Sequence, residues 1–167
     1  MRNGQITNVN TRLDNIGLIA RVYIHFEYFD LALKLYQEIL PEIDSIENSD
    51  MYADVLHYSA NLHGYMDHFN ISTKVYKRSL SFRAKREYLK RIHTYHGLGD
   101  DYRFLEKFDS SYYYLKSGFD LLPNIDHEEL KGQLSLAYSE TLLKMDSLDR
   151  AKEIFDFVVN ELEYGKN

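Results

Sequence analysis

Cysteine and tryptophan are absent from this 167-residue chain, proline occurs twice and glycine eight times. Without cysteine there is no disulfide staple, no thiolate metal ligand and no cysteine nucleophile. So few breakers favour long helices over a strand-and-turn fold. Long apolar runs are missing as well: no uncharged stretch approaches the roughly 18 residues that span a bilayer, and residues 1–10 are too polar for a secretory leader. The chain as it stands reads as soluble, with the cytoplasm favoured over the periplasm. Glycine-rich phosphate loops, nucleophile elbows and two-histidine zinc-protease helices do not occur, and no carboxylate stands in an apolar context that would raise its pKa. Neither an enzyme nor a cofactor is expected.

What is present suits a folded domain. Hydrophobic residues make up 44% and charged residues 28%, which excludes wholesale disorder, and a chain of this length buries a sizeable core. The net charge of −6 is unevenly spread. From Lys74 to Arg91 eight basic residues stand against Glu87 alone, so that stretch carries +7 and the remainder −13. Repulsion from the remainder opposes nucleic acid, which leaves a solvated or partner-docking patch.

The clearest motif runs from Tyr95 to Pro123: Tyr95-x-x-Leu98-Gly99-x-x-Tyr102, then Phe108-Asp109-x-Ser111-x-x-x-Leu115, then Pro123. Weaker copies follow the anchors Phe29, Phe69 and Leu148, and the four anchors are spaced 40, 39 and 40 residues apart. A steady period of this size is the mark of a solenoid. Around each anchor, apolar residues recur at three and four, as in Leu13, Ile16, Ala20 and Tyr23 before the first anchor and Ala32, Leu35, Tyr36 and Ile39 after it. The pattern predicts eight helices in antiparallel pairs. Small residues fall in two slots, Ala20, Ala60, Gly99 and Ser139 in first helices and Ala32, Ser72, Ser111 and Ala151 in second helices, where the two must approach closely. Helical glycine costs about 1 kcal/mol against alanine, so Gly99 requires such a contact.

This pattern resembles the tetratricopeptide repeat (TPR) family over roughly Leu13 to Leu162, in four repeats near 9–46, 49–84, 85–123 and 126–164 of a single domain. The period exceeds the family's usual length of about 34 residues, and longer first helices are the expected use of the surplus. Asp126-x-x-Glu129 resembles a capping box, and Asn48, Ser49 and Asp50 offer cap chemistry before the second repeat. The resemblance implies an all-α solenoid, a right-handed superhelix with first helices lining a concave groove and second helices forming the back. It also implies a non-catalytic scaffold for a protein or peptide ligand. The alternative is a ligand-responsive module of a larger signalling or transcription-regulating protein, similar to the TPR arrays of bacterial sensors.

On that reading the groove is lined by Arg21 and His25, by Asp54, His57 and Asn61, by His93, His96, Asp100 and Arg103, and by Glu140 and Lys144. Mixed polar and charged groups suit hydrogen bonding to an extended peptide. Of the spaced Lys and Asn that clamp a terminal carboxylate in some family members, only Asn61 has a counterpart. His93-x-x-His96-x-x-x-Asp100 has the spacing for metal ligands, but polar groove contacts are the stronger reading and no metal is expected. Tyr112, Tyr113 and Tyr114 point in different directions on one helix, which predicts core packing plus an aromatic surface. The first helix is apolar beyond one stripe (Leu18, Ile19, Val22, Phe26), and so is the last (Phe155, Phe157). Either self-association through an end or the flanking parts of a longer protein would cover these faces. The stop soon after the eighth helix favours the latter.

Overall fold

The computed structural model describes residues 2–45 and 48–164, with side chains over 8–44 and 48–160. Among the described residues there are eight α-helices and no strand: α1 (Arg2–His25), α2 (Phe29–Ser45), α3 (Ser49–Tyr65), α4 (Phe69–Phe82), α5 (Tyr88–Phe104), α6 (Phe108–Phe119), α7 (Glu128–Lys144) and α8 (Leu148–Tyr164). A 3-10 turn, Leu122–Asn124, holds Pro123. The chain divides into two compact units, Met1–Ala84 and Lys85–Asn167, each built of two helix pairs. None of the described helices is long and apolar enough to cross a membrane.

Each pair turns through the same backbone device. Glu27, Asp67, Glu106 and Asp146 sit in the left-handed region, with φ of 60°, 58°, 56° and 55°. The next residue's N–H then reaches back to the carbonyl five positions earlier, as in Tyr28 to Tyr23 at 2.7 Å, His68 to His63 at 2.8 Å, Lys107 to Tyr102 at 2.8 Å and Ser147 to Leu142 at 2.9 Å. This closes the first helix by a Schellman motif and aims the anchor residue into the second helix. Glycine is the usual occupant, since other residues give up about 1–2 kcal/mol in this conformation. Here the acidic side chain instead stands just ahead of the second helix, whose N-terminal dipole favours negative charge.

The small residues lie at the contact within each pair. Ala20, Ala32, Ala60, Ser72 and Ser111 are completely buried. Ser72 donates to the Ala60 carbonyl at 2.8 Å in the second pair, and Ser139 donates to the Ala151 carbonyl at 3.3 Å in the fourth, so residues of the two small slots bond to each other directly. In the third pair a β-carbon on Gly99 would lie 2.3 Å from Leu115 Cγ. Close packing of α5 on α6 is therefore the physical reason for that glycine.

Cap chemistry follows the sequence at one site and departs from it at another. Asn48 caps α3, its Oδ1 accepting from the Met51 N–H at 3.1 Å. The capping box at Asp126 and Glu129 does not form as expected: α7 starts at Glu128, and the cap is His127, whose Nδ1 accepts from the Leu130 N–H at 3.2 Å. An unprotonated imidazole nitrogen does there what a carboxylate was expected to do. The surplus length goes partly where expected, since α3 and α5 have 17 residues against 14 in α4 and 12 in α6. However, α2 and α8 also reach 17, and α2 runs through Pro41.

Candidate peptide-binding grooves

The 40, 39 and 40 spacing places Arg21, Asn61, Asp100 and Glu140 in one register slot, and Gly17, His57, His96 and Leu136 in another. The first repeat departs from the others at the second slot. A β-carbon built on Gly17 meets nothing within 4 Å, so the space that an imidazole takes in the next two repeats stays open.

That space is part of a cavity of about 540 Å³ in the first unit, bounded by α1, α2 and α3. Leu13, Gly17, Leu18 and Ile24 form one wall, Tyr36, Tyr58 and Tyr65 the other, and Asp14, Arg21, Asp54 and Asn61 supply polar groups. Tyr36 and Tyr58 stack at 5.6 Å between ring centroids. Burial, reinforced by neighbouring Tyr58, pushes the Tyr36 phenol up to about 12, and the positive charge of Arg21 opposes that rise.

Two of these four groups, Asp54 and Asn61, are already engaged by α4 and the residue that caps it. Arg83 Nη1 donates to Asp54 at 2.9 Å, and the Tyr76 hydroxyl donates to the side-chain carbonyl of Asn61. Arg21 differs: it is exposed, and no ion pair holds it among the described residues. His57 does not line the cavity, because its ring is packed edge-on between Tyr58 and Tyr76 at 5.8 and 5.5 Å. His25 ends α1 in an exposed position against the edge of Phe26.

In the second unit the corresponding residues pair with one another. His96 Nε2 lies 3.3 Å from Asp100, Asp100 lies 2.8 Å from Arg103, and Arg103 also bonds Glu140 on α7. Burial holds the His96 imidazole below its usual value; Arg103 acts in the same direction and Asp100 against it. A cavity of about 690 Å³ adjoins this chain of charges, lined by Arg103, Glu140 and Lys144 with Phe104, Phe108 and Leu143. His93 is exposed and faces His127 at 6.3 Å. Among the described residues no three His, Cys, Asp or Glu side chains are grouped to hold a metal ion.

The structure therefore unites Arg21, Asp54 and Asn61 in one cavity, links His96, Asp100, Arg103 and Glu140 in another region with Lys144 nearby, and leaves His25, His57 and His93 apart from both. Sequence reasoning missed Gly17 and the tyrosine wall. The signal for Gly17 was a glycine in a slot that carries histidine in the next two repeats. Sequence reasoning also misread Arg83, which belongs not to an exposed basic patch but to the interior, at 6% exposure, because its partner Asp54 lies on the facing helix. Other members of that stretch are engaged as well: Arg78 donates to the Tyr52 hydroxyl at 2.6 Å, Arg91 to that of Tyr95 at 2.7 Å, and Lys90 lies 3.8 Å from Glu87. Lys74, Lys85 and Arg86 remain exposed. The three consecutive tyrosines behave as expected. Tyr114 stacks on Tyr102 at 5.6 Å, Tyr112 packs on Tyr138 and accepts from Arg150 at 2.6 Å, and Tyr113 is 62% exposed.

No protein-family model and no curated protein matches the chain. Solved structures do. Two crystal structures of nearly identical TPR-like repeats from Podosopora anserina, assigned there to a kinesin light chain, superpose with a TM-score of 0.78. They share 14% and 13% sequence identity with this chain, and the match covers 92% of it and 76% of theirs. Likeness at that identity speaks to fold, and the fold is that of a TPR-like α-solenoid.

Proposed function

We propose that the chain is a protein-interaction scaffold and that the groove of its first unit takes an extended peptide segment. One apolar or aromatic side chain enters the cavity over Gly17 and lies against Tyr58 and Tyr65, while Arg21 accepts an adjacent carbonyl or carboxylate as its partner. The observation that carries this reading is the exposed Arg21 guanidinium, without an ion pair among the described residues, beside an open cavity walled by three tyrosines. Cavities of several hundred Å³ with few polar groups are the usual form of a specific binding site. The TPR-like fold, whose members are generally non-catalytic binders of proteins and peptides, supports binding in place of catalysis. Asp54 and Asn61, held by α4, define the polar floor, and Arg103, Glu140 and Lys144 offer a second, charge-selective contact region. No described residue favours the ligand-responsive regulatory alternative over this reading.

The test is selection from a displayed library of random peptides. Peptides enriched on the wild-type protein should lose about tenfold in affinity on Gly17→Leu, corresponding to about 1.4 kcal/mol, and a comparable amount on Arg21→Ala. Gly132→Leu on α7, where a β-carbon also meets nothing within 4 Å and which lines none of the described cavities, should bind as wild type. Peptides that bind Gly17→Leu undiminished would refute the cavity as the site.

A further inference from the structure

One surface at each end of the chain remains open although register equivalents inside the first unit, Val55, Leu62 and Tyr36, are buried, Tyr58 beside them keeping 45% exposure. On α3 the residues facing α2 are Val55, Tyr58 and Leu62: Val55 and Leu62 are 0% and 1% exposed, and Tyr58 stacks on Tyr36. Forty residues earlier, α1 carries Asn15, Leu18 and Val22 in the same slots, and Leu18 and Val22 are each 54% exposed, with Ile19 and Phe26 open beside them. This is the face that a second-type helix covers. The converse holds on α8. On α2 the residues applied to α3 are Phe29, which packs on Tyr65 at 5.6 Å, and Tyr36. The α8 counterparts, Leu148 and Phe155, are 67% and 58% exposed. This is the face that a first-type helix covers. One chain thus carries both halves of the interface by which α2 meets α3.

We propose that copies of this chain associate head to tail, with α8 of one copy covering α1 of the next as α2 covers α3 within the first unit. The interface already present in the fold supplies the register: Phe155 comes over Leu18, where Tyr36 lies over Tyr58, and Leu148 comes beside His25, where Phe29 lies beside Tyr65. The Phe155–Leu18 contact is apolar on both sides, as the core of a stable interface requires, and Leu148 lies on the imidazole face of His25. The association is heterologous, so it propagates beyond a pair unless its rotation closes a ring.

Sedimentation velocity on the full chain tests this. The average mass should rise with concentration for the wild type, whereas Val22→Arg and Phe155→Arg should each remain monomeric. Mixed in equal amounts, the two variants should form a dimer and nothing larger, because only the intact α1 of one and the intact α8 of the other can meet. Both side chains are about half exposed, so melting temperature should be unchanged; Ile19→Lys and Leu148→Lys on the same faces repeat the experiment if either arginine lowers it. A wild type that stays monomeric at every concentration would overturn the proposal and assign the faces to flanking helices. So would a Phe155→Arg variant that still dimerises, which would indicate a two-fold contact through α1.

Discussion

At the slot four residues before the end of each first helix, the first unit carries Arg21 and Asn61, and the second carries Asp100 and Glu140. In the second unit Arg103 sits between those two carboxylates and bonds both, so the groove charge is neutralised by groove residues. In the first unit the partners come from another helix: Tyr76 on α4 and Arg83, its cap, occupy Asn61 and Asp54 and leave Arg21 at the cavity. The same repeat thus yields one set of charges that pair with one another and one that leaves a cation beside an open cavity. The difference depends less on which residues fill these slots than on which helix provides their partners.

Removing those partners should break the comparison most sharply. Arg83→Ala strands Asp54 beside a buried guanidinium site and should cost about 3 kcal/mol in chemical denaturation. Arg103→Ala, whose side chain is 27% exposed and whose partner Glu140 is 43% exposed, should cost about 1 kcal/mol or less. Equal losses would mean that the two networks are not different in kind.

Two of the helical glycines, Gly99 and Gly17, should separate next, and in opposite directions. Gly99→Ala forces the fully buried Leu115 aside and should lower stability by about 1–3 kcal/mol. Gly17→Ala meets no atom and should gain up to about 1 kcal/mol from helix propensity. Thermal melts of the two variants give the sign directly.

The smallest effect concerns pH. Burial holds His63 in the first unit and His96 in the second below the usual histidine value of 6.5, with His68 adding to the depression at His63 and Arg103 at His96. The folded chain therefore binds these protons less readily than the unfolded chain. Stability is fully present above 6.5 and falls as the pH drops through that value, because the unfolded state then takes up more protons. His63→Asn and His96→Asn should each flatten part of that slope between neutral and mildly acidic pH, and a slope unchanged in both variants would count against buried neutral imidazoles.

Much of the architecture was legible because its determinants are local. The 40, 39, 40 spacing of Phe29, Phe69, Phe108 and Leu148 places the turns, and the same spacing separates Glu27, Asp67, Glu106 and Asp146, whose left-handed conformation was not foreseen. An acidic residue two positions before every anchor was the available sign. The site was less legible. Its polar residues were identified as a class, but Arg83 was read from its charged neighbours in sequence, and its actual neighbour lies 29 residues away on α3. His127 was passed over as a cap because histidine accepts a backbone hydrogen bond only when neutral and correctly turned, which sequence does not reveal.

By itself the sequence determined the helix pairs, their turns and the small residues at their contacts, since each follows from i, i+3 and i+4 spacing along one helix and repetition at a fixed period. Only the tertiary structure decided which polar groups stay available. Arg21, Asp54 and Asn61 look equivalent in sequence, but α4 brings Arg83 to one and Tyr76 to another while Arg21 keeps its exposure. The reason is that hydrogen bonds and ion pairs are satisfied across helices, by side chains whose approach depends on the packing of residues far apart in the chain.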